Sequence, residues 1–84
     1  HPSLLPKFGG KGMYGDKVHM AVLKSKEKFT GITIHYVDEV YDNGEVIFQK
    51  KCNLDLNESL ISLRKKIRIM EYEFFPKTIE KLLN

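Results

Sequence analysis

Thr30–Gln49, TGITIHYVDEVYDNGEVIFQ, is the stretch on which the fold turns. Ile32, Ile34 and Tyr36 alternate with Thr33, His35 and Val37, the period of two expected of a half-buried strand. Val46, Ile47 and Phe48 restart the apolar run, so two paired strands are predicted. The seven residues between them, Asp38 to Gly44, hold three carboxylates, Asp38, Glu39 and Asp42, and close on Asn43-Gly44. That is long for a hairpin connection, and long connections in compact units are usually binding segments or simply mobile ones.

Downstream, the second strand is expected from about Glu45 to Leu54, emerging into solvent at Lys50 and Lys51. Asp55-Leu56-Asn57-Glu58 resembles a capping box, with Asp55 or Asn57 as N-cap. Behind it Leu60, Leu63, Ile67, Met70 and Phe74 step by three and four, an apolar helical stripe too wide for two strands to cover. Pro76 is expected to kink this helix or to start a second one, whose apolar side would be Ile79, Leu82 and Leu83. Upstream, Asp16 is the expected N-cap of a short helix over residues 16–27, with Tyr14, Val18, Ala21 and Val22 on its apolar side and His19 at the surface. Before it, HPSLLPKFGGKG carries two prolines and three glycines and reads as a loop leaving the end of a strand further upstream. The chain opens at His1, directly in this run and without an initiator methionine, which reads as the interior of a longer protein.

Eighty-four residues make one domain at most, with a small core. Apolar content of 42% and charged content of 30% describe an ordinary soluble protein. A net charge of +3 leans towards anionic ligands but is too weak to indicate nucleic acid. Arg64-Lys65-Lys66 reads as a solvated face, since no aromatic residues interleave with it. One cysteine makes no internal disulfide, and Cys52 reads as a small packed side chain. No Cys/His cluster has zinc-ligand spacing, so no metal is expected. No apolar run approaches a bilayer span and no signal peptide is present, so no membrane partner is expected and the expected compartment is the cytosol.

Four places carry potential chemistry. His1 precedes a proline at the end of the expected upstream strand, where open α/β sheets commonly place catalytic side chains. The acidic connection either solvates a turn or supplies a catalytic carboxylate. His35 lies mid-strand among apolar neighbours, either a hydrogen-bonded structural residue or a functional one. Glu71 falls roughly 50° from the centre of the apolar helical stripe at about 100° per residue. A carboxylate there either pairs with Arg68 or accepts hydrogen bonds from a hydroxylated ligand.

HPSLLPKFGGKG, followed by HYVDEVYDNG and then by EYEFFP, resembles the glycinamide ribonucleotide formyltransferase family, folate-dependent enzymes of purine synthesis. The resemblance covers essentially the whole chain but only the C-terminal two-fifths or so of the family. It implies an α/β fold, a mostly parallel sheet with covering helices. This chain, residues 1–84, would be the C-terminal segment of that single domain: a helix, the β-hairpin and a long Pro-containing helix. The nucleotide-binding half would lie upstream, as the N-terminal portion of the same protein. The implied activity is formyl transfer from 10-formyltetrahydrofolate to the amine of glycinamide ribonucleotide, with these two small molecules as cosubstrate and substrate and with no metal. His1 matches the family's catalytic acid and Asp42 its aspartate. The folate loop falls on Asp38, Glu39, Val40, Tyr41 and Asp42, largely through main-chain groups. The ribonucleotide-contacting segment falls on Arg68, Ile69, Met70 and Glu71, and His35 would support the catalytic pair.

The sequence departs from the family's pattern in places. Where the family commonly has Gly-Gly-Pro after the aspartate, this chain has Asn43-Gly44-Glu45. The phosphate-cradling loop and the asparagine expected just before His1 are not within it, so residues 1–84 alone are expected to be inactive. Two other readings make different predictions. A formyltetrahydrofolate deformylase would use water in place of the amine. A small basic interaction module would fold and work by itself.

Overall fold

A computed structural model describes residues 1–36 and 44–83. Among these the elements are α1 (Asp16–Lys24), β1 (Phe29–His35), β2 (Val46–Asn53) and α2 (Leu60–Leu83). The expected loop ligands Asp38, Glu39, Val40, Tyr41 and Asp42 lie outside the described residues.

β1 and β2 form the predicted antiparallel pair, with Phe29 opposite Asn53 and Thr33 opposite Gln49. The ladder continues beyond both ends, where Leu54 N–H donates to Lys28 O at 3.0 Å and Tyr36 N–H to Glu45 O at 2.9 Å. Ile34 faces Phe48 but His35 faces Val46, so β2 carries one extra residue, Ile47, at that point. Such a bulge bends the strand and re-aims nearby side chains; here it lies beside His35. A β-carbon on Gly31 would come 1.9 Å from Lys50 O and 2.8 Å from Leu4 Cδ2. Glycine alone lets β2 and the N-terminal loop close on the strand together.

The half-buried strand expected from alternation is buried more completely than that. Gly31, Ile32, Thr33 and Ile34 are all buried, and Tyr36 is exposed. Adjacent strand residues face opposite sides, and both sides of β1 are covered. Ile32 joins Val18, Val22, Leu63, Ile67 and Met70 in the core, while Thr33 bonds to the N-terminal loop.

The helices differ from expectation at their ends. α1 is capped at Gly15, at φ 54°, with no side-chain cap bond. Asp16 instead accepts a fork from Arg64 of α2, Nε to Oδ1 at 3.1 Å and Nη2 to Oδ2 at 2.7 Å. That pair holds the Asp16 carboxyl below its ordinary range, chiefly through the hydrogen bond from Arg64. α1 stops at Lys24 rather than residue 27, because Lys26 takes a left-handed φ of 53°. His19, expected at the surface, is buried on the side of α1 that meets α2, and burial pushes its pKa down. Tyr14, expected on the apolar face, is exposed.

At the start of α2 the cap is Ser59 rather than Asp55 or Asn57. Ser62 N–H donates to Ser59 Oγ at 3.0 Å and Ser59 N–H donates to Ser62 Oγ at 3.1 Å, a reciprocal box. Asp55 and Glu58 close the turn ahead of it, Asp55 N–H donating to Glu58 Oε1 at 3.1 Å. The predicted stripe is in place, with Leu63, Ile67 and Met70 buried and Phe74 packed against them. α2 runs through Pro76 as one helix, so no second helix starts there. Thr78 Oγ1 donates to Phe74 O at 2.8 Å in the turn around the proline.

Candidate functional site

The site begins with how the HPSLLP loop is tied to β1. Thr33 N–H donates to His1 O at 2.9 Å, and the His1 backbone nitrogen donates to Thr33 O at 2.7 Å. Two residues exchanging both bonds is the antiparallel pairing pattern, so His1 is held at the edge of the sheet. The Thr33 side chain then fastens the residues that follow. Its hydroxyl donates to Ser3 O at 2.7 Å and accepts from Leu5 N–H at 3.0 Å. Gln49 Nε2, from the residue opposite on β2, reaches Thr33 Oγ1 and Leu5 O, both at 2.9 Å. Ser3 and Thr33 are fully buried, so these bonds form away from water, where breaking one is costly.

The His1 ring is oriented by its own loop, since Nε2 lies 2.9 Å from Phe8 O. A carbonyl only accepts, so Nε2 carries the proton. His35 is fixed comparably, with Nδ1 2.9 Å from Tyr36 O. Between these rings lies a pocket of about 140 Å³, lined by His1, Ile32, Thr33, Ile34, His35, Glu71 and Phe75. Ligand sites commonly span about 300–1,000 Å³, so this pocket has room only for a small group. Two imidazoles, one carboxylate and apolar walls suit a small polar group undergoing proton transfer.

Glu71 therefore stands with His1 and His35, three residues from separate parts of the chain. The ion pairs among the described residues join Lys7 to Glu27, Arg64 to Asp16, and Lys66 to Asp55 and Glu58. Arg68–Glu71 is not one of them. The other residues expected beside Glu71 point elsewhere: Met70 is in the core, and Arg68 and Ile69 line an outer groove with Ile61 and Tyr72. Arg64 and Lys66 of the basic run are engaged in those ion pairs. Cys52 is half-buried, and burial raises its thiol pKa, as suits a packed and unreactive side chain.

Glu58 is the most enclosed of these carboxylates, its side chain only 3% exposed. Burial raises its pKa, but hydrogen bonds from Lys66 Nζ, Ser62 Oγ and the Asp55 N–H outweigh that and leave it lowered. It is a structural anchor for the start of α2. Thr33 and Phe8, which hold the site together, escaped sequence reasoning. The available signal for Thr33 was a polar β-branched residue between Ile32 and Ile34, cross-strand from Gln49. For the Phe8 carbonyl the sequence holds none.

Among the described residues no set of three His, Cys, Asp or Glu side chains is arranged to hold a metal ion. Among the same residues no helix is long and apolar enough to cross a membrane.

Residues 1–79 match the model of the formyl transferase family. A phosphoribosylglycinamide formyltransferase of Vigna unguiculata, described as chloroplastic, is 44% identical over 98% of this chain and 26% of its own length. The phosphoribosylglycinamide formyltransferase of Bacillus subtilis is 39% identical over 99% of this chain and 40% of its own length. In the crystal structure of phosphoribosylglycinamide formyltransferase from Bacillus halodurans, 41% of that chain superposes on all of this one, with 38% identity and a TM-score of 0.88. The chain thus spans roughly a quarter to two-fifths of the relatives it matches.

Proposed function

This chain belongs to the formyl transferase family, and we propose on that premise that its full-length protein transfers a formyl group from 10-formyltetrahydrofolate to the amine of glycinamide ribonucleotide. The observation that carries the reading is the convergence of His1, His35 and Glu71 on one pocket. In this reading residues 1–84 supply the catalytic edge of a single domain, and the preceding part of the same protein supplies the rest of the nucleotide site. The reaction takes place in the cytosol.

The cosubstrate supplies the formyl carbon, and the ribonucleotide amine forms the new bond to it as the bond to the folate nitrogen breaks. His1, as imidazolium with Nε2–H held by Phe8 O, donates from Nδ1 to the formyl oxygen as negative charge gathers there. An unperturbed imidazole titrates near pH 6.5, and in this reading an ionised Asp42 favours the charged form. Asp42 also orients the water that takes the proton from the amine and returns one to the leaving nitrogen. The main chain of Asp38, Glu39, Val40, Tyr41 and Asp42 binds the folate ring. The segment Arg68, Ile69, Met70 and Glu71 contacts the ribonucleotide, with Glu71 accepting hydrogen bonds from its ribose hydroxyls. His35 supports the catalytic pair from the adjoining wall.

The test is release of tetrahydrofolate by the full-length protein with and without glycinamide ribonucleotide. Release that requires the ribonucleotide is expected. Equal release without it would make the protein a hydrolase, the deformylase reading.

A further inference from the structure

Phe8 is a bulky residue at φ 58°, in the left-handed region. Non-glycine residues are uncommon there, and a large side chain in that conformation stores strain. Two glycines follow immediately at positions 9 and 10, either of which would adopt it without strain. Gly10 does take a positive φ, 100°, but the loop puts Phe8 in the left-handed region as well, and it is the Phe8 carbonyl that meets His1 Nε2 at 2.9 Å. The backbone on either side is pinned. Ser3 Oγ donates to Lys7 O at 3.2 Å, and Gly9 N–H donates to Pro6 O at 3.3 Å. The Phe8 side chain packs against the hydrophobic core.

We propose that Phe8 is a positioning residue: its left-handed backbone aims a carbonyl at His1 Nε2 and so fixes which ring nitrogen faces the reacting group. The proposal rests on the reading of His1 as the catalytic acid. A carbonyl accepting from Nε2–H favours the doubly protonated ring and leaves Nδ1 as the donor towards the pocket. Rotation of the Phe8 peptide removes that acceptor from Nε2–H.

The test compares Phe8→Gly, Phe8→Asn and Phe8→Ile in the full-length protein. Glycine and asparagine tolerate the left-handed region, whereas β-branched isoleucine resists it. Positioning through the backbone predicts that Phe8→Ile lowers the His1 pKa, read by NMR of the imidazole nitrogens, and moves the basic limb of the kcat profile to lower pH. Turnover should fall roughly 10–100-fold, the scale at which a misplacement of about 1 Å acts, with little change in either KM. Phe8→Gly and Phe8→Asn should keep the wild-type His1 titration. A role in packing alone predicts the opposite order, with glycine worst and isoleucine mildest, and that order would overturn the proposal. The same holds if Phe8→Ile leaves the His1 titration unmoved. If the titration shifts as predicted while turnover and its pH profile do not, Phe8 positions the ring as proposed and the catalytic reading of His1 is what fails.

Discussion

Replacing Thr33 by valine keeps the shape of a fully buried side chain and removes its hydroxyl. Ser3 O then loses its donor and Leu5 N–H loses its acceptor, while Gln49 Nε2 retains Leu5 O. Each buried polar group left unsatisfied costs about 1–3 kcal/mol. Burying a methyl in place of the hydroxyl returns about 1 kcal/mol. The net expectation is a loss of about 1–5 kcal/mol. Thr33→Ser keeps the hydroxyl and deletes one methyl, at about 1 kcal/mol. Both variants are to be compared in the full-length protein by urea unfolding and by turnover under conditions where each remains folded. Because the released segment carries His1, Thr33→Val should also lose turnover that Thr33→Ser retains. A valine variant no less stable than the serine one, with wild-type turnover, would show that this hydroxyl does not hold the catalytic loop.

Glu71→Gln should raise the KM for the ribonucleotide with little change in kcat, as expected when an interaction common to ground and transition states is weakened; a fall in kcat alone would contradict a sugar-binding role. Asp42→Asn should reduce turnover far more than folate affinity, measured by equilibrium titration, and equal losses would move Asp42 from the chemistry to loop structure. For Glu58 the folded pKa lies below the ordinary glutamate value of 4.5. Its contribution to stability is therefore complete above that pH and lost as pH falls through the folded value. Stability against urea should decline on acidification below about pH 4.5, and the decline should be smaller in Glu58→Gln.

The hairpin and the α2 stripe were legible in the sequence because local periodicity dictates both. Period two placed β1, and spacings of three and four placed Leu63, Ile67 and Met70 against it. The misses came from partners that only tertiary structure brings together. Asp16 has the side chain of an N-cap, but Arg64, forty-eight positions away, takes its carboxylate. His19 looked exposed because its burial depends on α2. Tyr36 looked buried because alternation does not reveal that the core stops at Ile34. Ser59 won the cap from Asp55 and Asn57 because Ser62 returns its bond. At the site, the HPSLLP run and HYVDEVYDNG pointed through family resemblance to His1 and the acidic loop. The wheel position of Glu71 left two readings open, and its place on the wall shared with His1 and His35 favours a ligand over Arg68. Main-chain positioning by Phe8 leaves no trace in residue identity.

The central claim is that the His1 imidazole is the acid in formyl transfer. Its most direct test is single-turnover formyl transfer by the full-length protein carrying His1→Ala, at saturating ribonucleotide and cosubstrate. Removal of a general acid should slow the step by about 10²–10⁴-fold with binding of both reactants preserved. A rate within a few-fold of wild type would contradict it.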